Sequence, residues 1–281
     1  MARFDPILGA RRAPLWCSLA LFVALAGATV FVNQAFLPSG AWRPLWSASG
    51  GWVHPTLLAG LGVLAVAFTI SCLAGPLKLS DLGLGARRIP IGLFYGAAVW
   101  GAAQVLITGW GVVLEGRPRF DSSWSTPGVT GGAVIAQLFG NALMEETIYR
   151  GFFFTQWVLW VRGEARVASL RHVFIAASLA AILFALSHVP NRVWVEGYAG
   201  FARFAKDQGM LVLAGFALAL VYWRTRNLPF VIVFHALINR PSMAFEVPDA
   251  VPLPPRAAVI AFGAATTLLW PRLPWNGELV K

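Results

Sequence analysis

The sequence predicts an all-α protein, a polytopic transmembrane helix bundle of about eight spans, with seven to nine as the range. Of its 281 residues, 58% are hydrophobic and only 12% are charged, about half the charged share of a typical soluble domain. A soluble core of this size cannot hide so much apolar surface, so the predicted solvent around the protein is lipid.

Apolar runs long enough for membrane helices divide the chain. About 20 apolar residues cross the hydrocarbon core, and breaker-rich connectors such as Gly75-Pro76 and residues 125–128 separate the runs. The whole chain, 1–281, is predicted to be one integral membrane domain. The predicted spans are 14–36, 53–75, 90–114, 130–160, 172–189, 209–223, 228–245 and 256–271.

The distribution of basic residues predicts the partners and the orientation of the protein. The formal net charge is +10, but Lys and Arg stand singly or in pairs at the ends of apolar runs. This pattern is typical of membrane flanks and argues against nucleic acid as a partner. The set of alternating loops that includes both termini holds more Lys and Arg than the other set. We therefore expect both termini in the cytoplasm, and the absence of organelle signals favours a bacterial inner membrane.

The first group of candidate site residues lies in the fourth predicted span. An ionisable side chain at membrane depth is costly and indicates a functional site by default. Glu146 and Arg150 stand four residues apart, so they share a helix face and can form an ion pair. Glu145 points about 100° away from Glu146 around the helix, which leaves it free to face another group.

Two further groups lie in later spans. Phe184 and His188 stand four apart at the end of the fifth span, and His235 and Asn239 stand four apart in the seventh. Each pair shares one helix face. Three separate apolar helices are therefore predicted to bring two carboxylates, one guanidinium, two imidazoles and one amide into the membrane.

These three motifs, in this order, resemble the signature motifs of the CAAX protease and bacteriocin-processing family. This family of intramembrane glutamic endopeptidases includes the type II CAAX prenyl endopeptidase. The resemblance covers residues 130–245, the predicted catalytic core, and no motif position departs from the family pattern. It implies hydrolysis of a membrane-associated or lipidated peptide or protein near its C-terminus.

The resemblance also implies a role for each motif residue. Glu145 is the implied general base on a water that His188 helps to hold. His235 and Asn239 are the implied donors to the oxyanion of the tetrahedral intermediate. The implied structural support comes from Glu146, Arg150 and Phe184. A mechanism of this type needs no cofactor.

Three alternatives remain open on the residues alone. Glu145, Glu146, His188 and His235 are also a plausible ligand set for zinc, although no HExxH pair is present. Intramembrane carboxylates and histidines also mark the pathways of ion- or proton-coupled transporters. A non-catalytic immunity or scaffold protein could bind a hydrophobic peptide without cutting it.

Overall fold

The computed structural model describes residues 6–165, 168–195, 197, 200–247 and 251–270. Within these ranges the chain forms nine helices, and its extended structure is limited to one isolated bridge between Phe120 and Phe245. The all-α prediction is confirmed. The helices are α1 Leu15–Ser39, α2 Arg43–Ala48, α3 Pro55–Ala74, α4 Ala86–Glu115, α5 127–162, α6 Leu170–Trp194, α7 Phe201–Thr225, α8 Leu228–Asn239 and α9 Pro255–Leu269.

Local sequence signals explain where several helices begin and end. Ser169 and His172 form a reciprocal capping box at the start of α6. The Asn227 side chain accepts a hydrogen bond from the Phe230 amide at the start of α8. Gly116 ends α4 with a positive φ of 76°, a conformation that glycine adopts without steric cost.

Each of the eight predicted spans coincides with one of the helices, and α2 is a short addition between the first two. Within the described residues, five helices are long and apolar enough to cross a membrane: α1, α3, α4, α6 and α7. The two apolar helices α8 and α9 are shorter, and α5 carries the buried charges Glu145, Glu146 and Arg150. The protein is therefore a polytopic membrane bundle, in which α5 and α8 carry site residues.

Three predicted spans differ from the structure by five residues or more at one end. The predicted span 228–245 is wrong beyond Asn239, because Pro241 forces the preceding Arg240 out of the helical region, to φ −138° and ψ 86°. The predicted spans 172–189 and 209–223 are too short. Helix α6 continues through Pro190 to Trp194, so His188 lies inside the helix and not at its end.

Loops that were predicted to share one side of the membrane contact one another at one end of the bundle. The Arg11 side chain pairs with Asp81 at 2.6 Å, Gln156 accepts from the Ala13 amide, and Arg88 donates to the Arg226 carbonyl. That this end of the bundle faces the cytoplasm stays a prediction. The basic residues Arg3, Arg166, Arg272 and Lys281, which entered the orientation argument, lie outside the described residues.

Helices α3 and α5 cross in direct backbone contact. A β-carbon added at Gly60 would overlap the carbonyl group of Gly140, and one added at Gly132 would overlap the carbonyl of Gly51. Small residues at a membrane helix interface allow this close approach. The crossing at Gly140 lies just over one helical turn before Glu145, so it fixes the position of the carboxylate helix.

We expect Gly60→Ala to destabilise the protein by about 1–3 kcal/mol, because the added methyl group must push α3 away from α5. Thermal unfolding in lipid nanodiscs measures the effect. Gly62→Ala is the matched control on the same helix, since a β-carbon at Gly62 has no neighbour within 4 Å. Equal melting temperatures for the two variants would contradict the tight crossing.

Candidate active site

The carboxylate helix α5 departs from α-helical geometry on both sides of its two glutamates. Residues Ala136–Ala142 and Thr147–Phe154 form π-helical turns, and Leu143–Glu146 between them is α-helical. Such π-turns occur frequently at functional sites. A uniform α-helix was predicted here, because residue spacing alone contains no signal for these turns.

The structure brings the seven predicted site residues into one cluster between α5, α6 and α8. The carboxylates are buried, with Glu145 exposing 6% and Glu146 0% of their surface. His235 is also buried, while His188 is half-buried and Asn239 is exposed. Burial therefore decreases from the Glu146 side of the cluster toward Asn239.

Glu145 lies between the two histidines. Its Oε1 atom is 3.6 Å from His188 Nε2 and its Oε2 atom is 3.7 Å from His235 Nε2. Both distances exceed that of a direct hydrogen bond. The Oε2 atom has no hydrogen-bond partner among the described residues. The carboxylate thus lies between two imidazoles and forms a direct hydrogen bond with neither.

His188 is oriented by its own helix. Its Nδ1 atom lies 2.8 Å from the Phe184 carbonyl oxygen, so Nδ1–H donates to the backbone and Nε2 is directed toward Glu145. A backbone contact of this kind selects one tautomer of histidine. The Phe184 ring packs against the imidazole, with a centroid distance of 4.6 Å.

Glu146 makes two direct contacts through one oxygen. Its Oε1 atom accepts from Arg150 Nη1 at 2.9 Å, the intrahelical pair that the sequence predicts, and it lies 2.6 Å from His235 Nδ1. The second contact crosses from α5 to α8 and was not anticipated. Because Nδ1–H faces Glu146, the Nε2 atom of His235 faces Glu145 and Asn239, with Asn239 Nδ2 at 3.0 Å.

The Arg150 side chain is buried between α5, α6 and α7 and contacts all three. It is 1% exposed, its Nη2 atom donates to the Gly215 carbonyl of α7 at 3.1 Å, and its guanidinium lies over the Phe184 ring at 4.7 Å. The contact with Gly215 was not predicted, because a backbone acceptor leaves no signal in the residue type. Arg150 therefore ties α5 to both α6 and α7.

The exposed end of α8 is fixed by residues that the sequence argument did not single out. Arg256 donates to the carbonyl groups of Ile238 and Asn239, which the end of the helix leaves unpaired. The Gln104 side chain holds the following segment, 240–247. It donates to the Ser242 carbonyl and accepts from the Ala244 amide. Gln104 was detectable as a polar residue within an apolar span.

The zinc ligand set that the residues leave open stays a prediction. In the part of the chain that the structure describes, no group of three His, Cys, Asp or Glu side chains is arranged to hold a metal ion. Glu146 is bonded to the Nδ1 atom of His235. In that position Glu146 is an outer partner of a candidate ligand and not a ligand itself.

The apolar helices and the buried cluster of carboxylates and histidines are features of a polytopic membrane protein with ionisable side chains in its interior. Residues 128–240 match the family model described as Type II CAAX prenyl endopeptidase Rce1-like. The match covers the segment that carries the three motifs and confirms the resemblance to this peptidase family; α1 to α4 and α9 lie outside the match. No curated protein and no solved structure matches the chain. A peptidase family implies a peptide or protein substrate.

Proposed function

We propose that this protein is an intramembrane endopeptidase that hydrolyses a membrane-associated or lipidated peptide near its C-terminus, with Glu145 activating the attacking water. The observation that carries the proposal is the position of the Glu145 carboxylate between the Nε2 atoms of two histidines. A general base must lie within reach of the proton that it removes, and a buried carboxylate beside a half-exposed histidine meets this condition.

Water activation follows from the two acceptors that face the same space. The Glu145 carboxylate accepts one proton of the water, and the Nε2 lone pair of His188 accepts a hydrogen bond from the other. This arrangement is supported by the His188 tautomer that the Phe184 carbonyl selects. The water then directs a lone pair toward the scissile carbonyl carbon, and Glu145 passes the abstracted proton to the leaving amine.

The oxyanion is stabilised by the exposed end of α8. In the resting site Asn239 Nδ2 donates to an unprotonated His235 Nε2. When Nε2 is protonated this bond cannot form, and both N–H groups then donate to the oxyanion. The buried Glu146 carboxylate at 2.6 Å from Nδ1 supports that charged ring. Two carboxylates then balance one guanidinium and one imidazolium, so the cluster is neutral overall, which lowers the cost of holding it within the membrane.

Asn239→Ala is expected to lower kcat by about 10²–10³-fold with little change in KM, because the lost donor acts mainly in the transition state. The assay uses purified protein in nanodiscs and a library of quenched-fluorescent peptides anchored by an apolar or lipidated segment. Asn191→Ala is the control, since Asn191 bonds Asn33 of α1 and lies outside the cluster. An unchanged kcat in Asn239→Ala would remove Asn239 from the oxyanion site.

The mechanism proposed for this site uses no metal. Dialysis against a zinc chelator is therefore expected to leave the rate of peptide hydrolysis unchanged, because carboxylate and imidazole groups alone activate the water. Metal analysis of the active protein accompanies the assay. Loss of activity that returns on adding zinc would instead favour the zinc alternative.

A further inference from the structure

A cavity of about 400 Å³ lies between α4, α5 and α8, beside the helix that carries His235 and Asn239. This is within the volume range of sites that bind small molecules or side chains. Its walls are apolar and include Leu93 and Ala97 of α4, Val134 and Leu138 of α5, and Val233 and Leu237 of α8. The catalytic cluster does not use these residues.

Part of the cavity lining is polar and positively charged. Arg240, the residue directly after Asn239, lines it together with Gln137 and Ser242. The Gln137 Nε2 and Ser242 Oγ atoms are buried and have no hydrogen-bond partner among the described residues. Arg240 forms no ion pair with any carboxylate in the described ranges, and its positive charge adds to burial in lowering the pKa of His54.

The rim that carries Arg240 is built in advance of any ligand. Trp100 and Gln104 of α4 both donate to the Ser242 carbonyl, at 2.8 and 3.0 Å. Trp124 donates to the Met243 carbonyl at 3.0 Å. Pro241 holds the backbone of Arg240 in an extended conformation. The backbone of this rim therefore loses little conformational freedom when a ligand binds, while the Arg240 side chain itself is exposed.

We propose that this cavity binds the apolar carboxyl-terminal residue of the peptide substrate, and that Arg240 pairs with its terminal carboxylate. An apolar cavity with an uncompensated guanidinium in its lining is complementary to an apolar group that carries an anion, and Arg binds carboxylates bidentately. Because Arg240 follows Asn239 directly, the carboxylate binds near the oxyanion donors. This inference rests on the proposed function. It assigns the cavity to the carboxyl-terminal part of the substrate, which is the part released after cleavage.

Binding to a hydrolysis-deficient protein tests the proposal without relying on cleavage. The protein is Glu145→Gln in nanodiscs, and the probe is a fluorescein-labelled apolar peptide ending in leucine, prepared as the free acid and as the C-terminal amide. We expect the amide to bind at least about tenfold more weakly than the acid, because it lacks the charged hydrogen-bonded pair. In Glu145→Gln/Arg240→Gln the two peptides are expected to bind equally.

Two further variants separate charge from cavity volume. Arg117→Gln removes the same charge from an exposed loop position and is expected to preserve the preference for the acid. Ala97→Phe fills the cavity and is expected to favour a peptide ending in glycine over one ending in leucine. Equal binding of acid and amide to Glu145→Gln overturns the proposal, as does displacement of the acid by phosphatidylglycerol or oleate with no dependence on the peptide terminus.

Cleavage and binding by the wild-type protein together separate failure of the cavity proposal from failure of the peptidase proposal. If wild-type protein cleaves the acid and amide peptides equally well, the proposed peptidase function stands and the assignment of Arg240 fails. If wild-type protein cleaves neither peptide but binds the acid through Arg240, the binding site stands and the peptidase proposal fails.

Discussion

Glu145→Gln is expected to abolish detectable peptide hydrolysis while the protein still folds. Glutamine preserves the size and hydrogen-bonding capacity of the side chain but cannot accept the proton of the attacking water. Loss of a positioned general base costs about 10²–10⁴-fold in rate. The measurement compares initial rates for the anchored peptide library with melting temperatures in nanodiscs, so that a loss of activity is separated from a loss of fold.

The matched control for this change is Glu115→Gln at the end of α4. Glu115 pairs with Arg119 outside the cluster, so its neutralisation is expected to leave the rate unchanged. Hydrolysis by Glu145→Gln at the wild-type rate would contradict the general-base assignment. A wild-type protein that moves ions or protons across liposomes and cuts no peptide would favour the transporter alternative.

Arg150→Met is expected to destabilise the protein by about 3–5 kcal/mol. Removing one partner of a buried ion pair leaves the other charge uncompensated, and Glu146 is 0% exposed. The substitution also removes the contacts of the guanidinium with the Gly215 carbonyl and the Phe184 ring. Thermal unfolding in nanodiscs and the yield of folded protein measure the effect.

Arg119→Met is the control for the loss of Arg150, because Arg119 forms an exposed ion pair with Glu115 at the same four-residue spacing. Exposed pairs contribute about 0–1 kcal/mol, so this variant is expected to melt close to wild type. The double variant Glu146→Gln/Arg150→Met should recover part of the lost stability, since it buries no uncompensated carboxylate. A melting temperature for Arg150→Met equal to that of Arg119→Met would show that the pair is not structural.

The membrane class and the positions of the helices were predictable because both depend on local properties of the chain. Apolar length determines which segments can cross lipid, and all eight predicted spans coincide with helices. Boundaries were less predictable. The end of α8 depends on the restriction that Pro241 places on Arg240, a signal that was present but outweighed by the apolar run around it.

Contacts within one helix were also predictable. Glu146 and Arg150 form the expected pair, since a spacing of four places two side chains on one helix face. The interhelical contacts were not. No spacing rule indicates that His235 Nδ1 meets the same Glu146 oxygen, because the distance between α5 and α8 depends on how the side chains of the whole bundle pack.

Lipid imposes a length and a polarity on every crossing segment, so the residue order alone predicts a membrane helix bundle with ionisable groups in three of its helices. How those groups divide depends on tertiary packing. It places Glu146 between Arg150 and His235, and Glu145 between two histidines. It also builds a cavity next to Asn239 with Arg240 in its lining. These features depend on close contacts between helices, such as that of Gly60 with Gly140. Such contacts set the distances between helices, and these distances cannot be predicted from the sequence of any one segment.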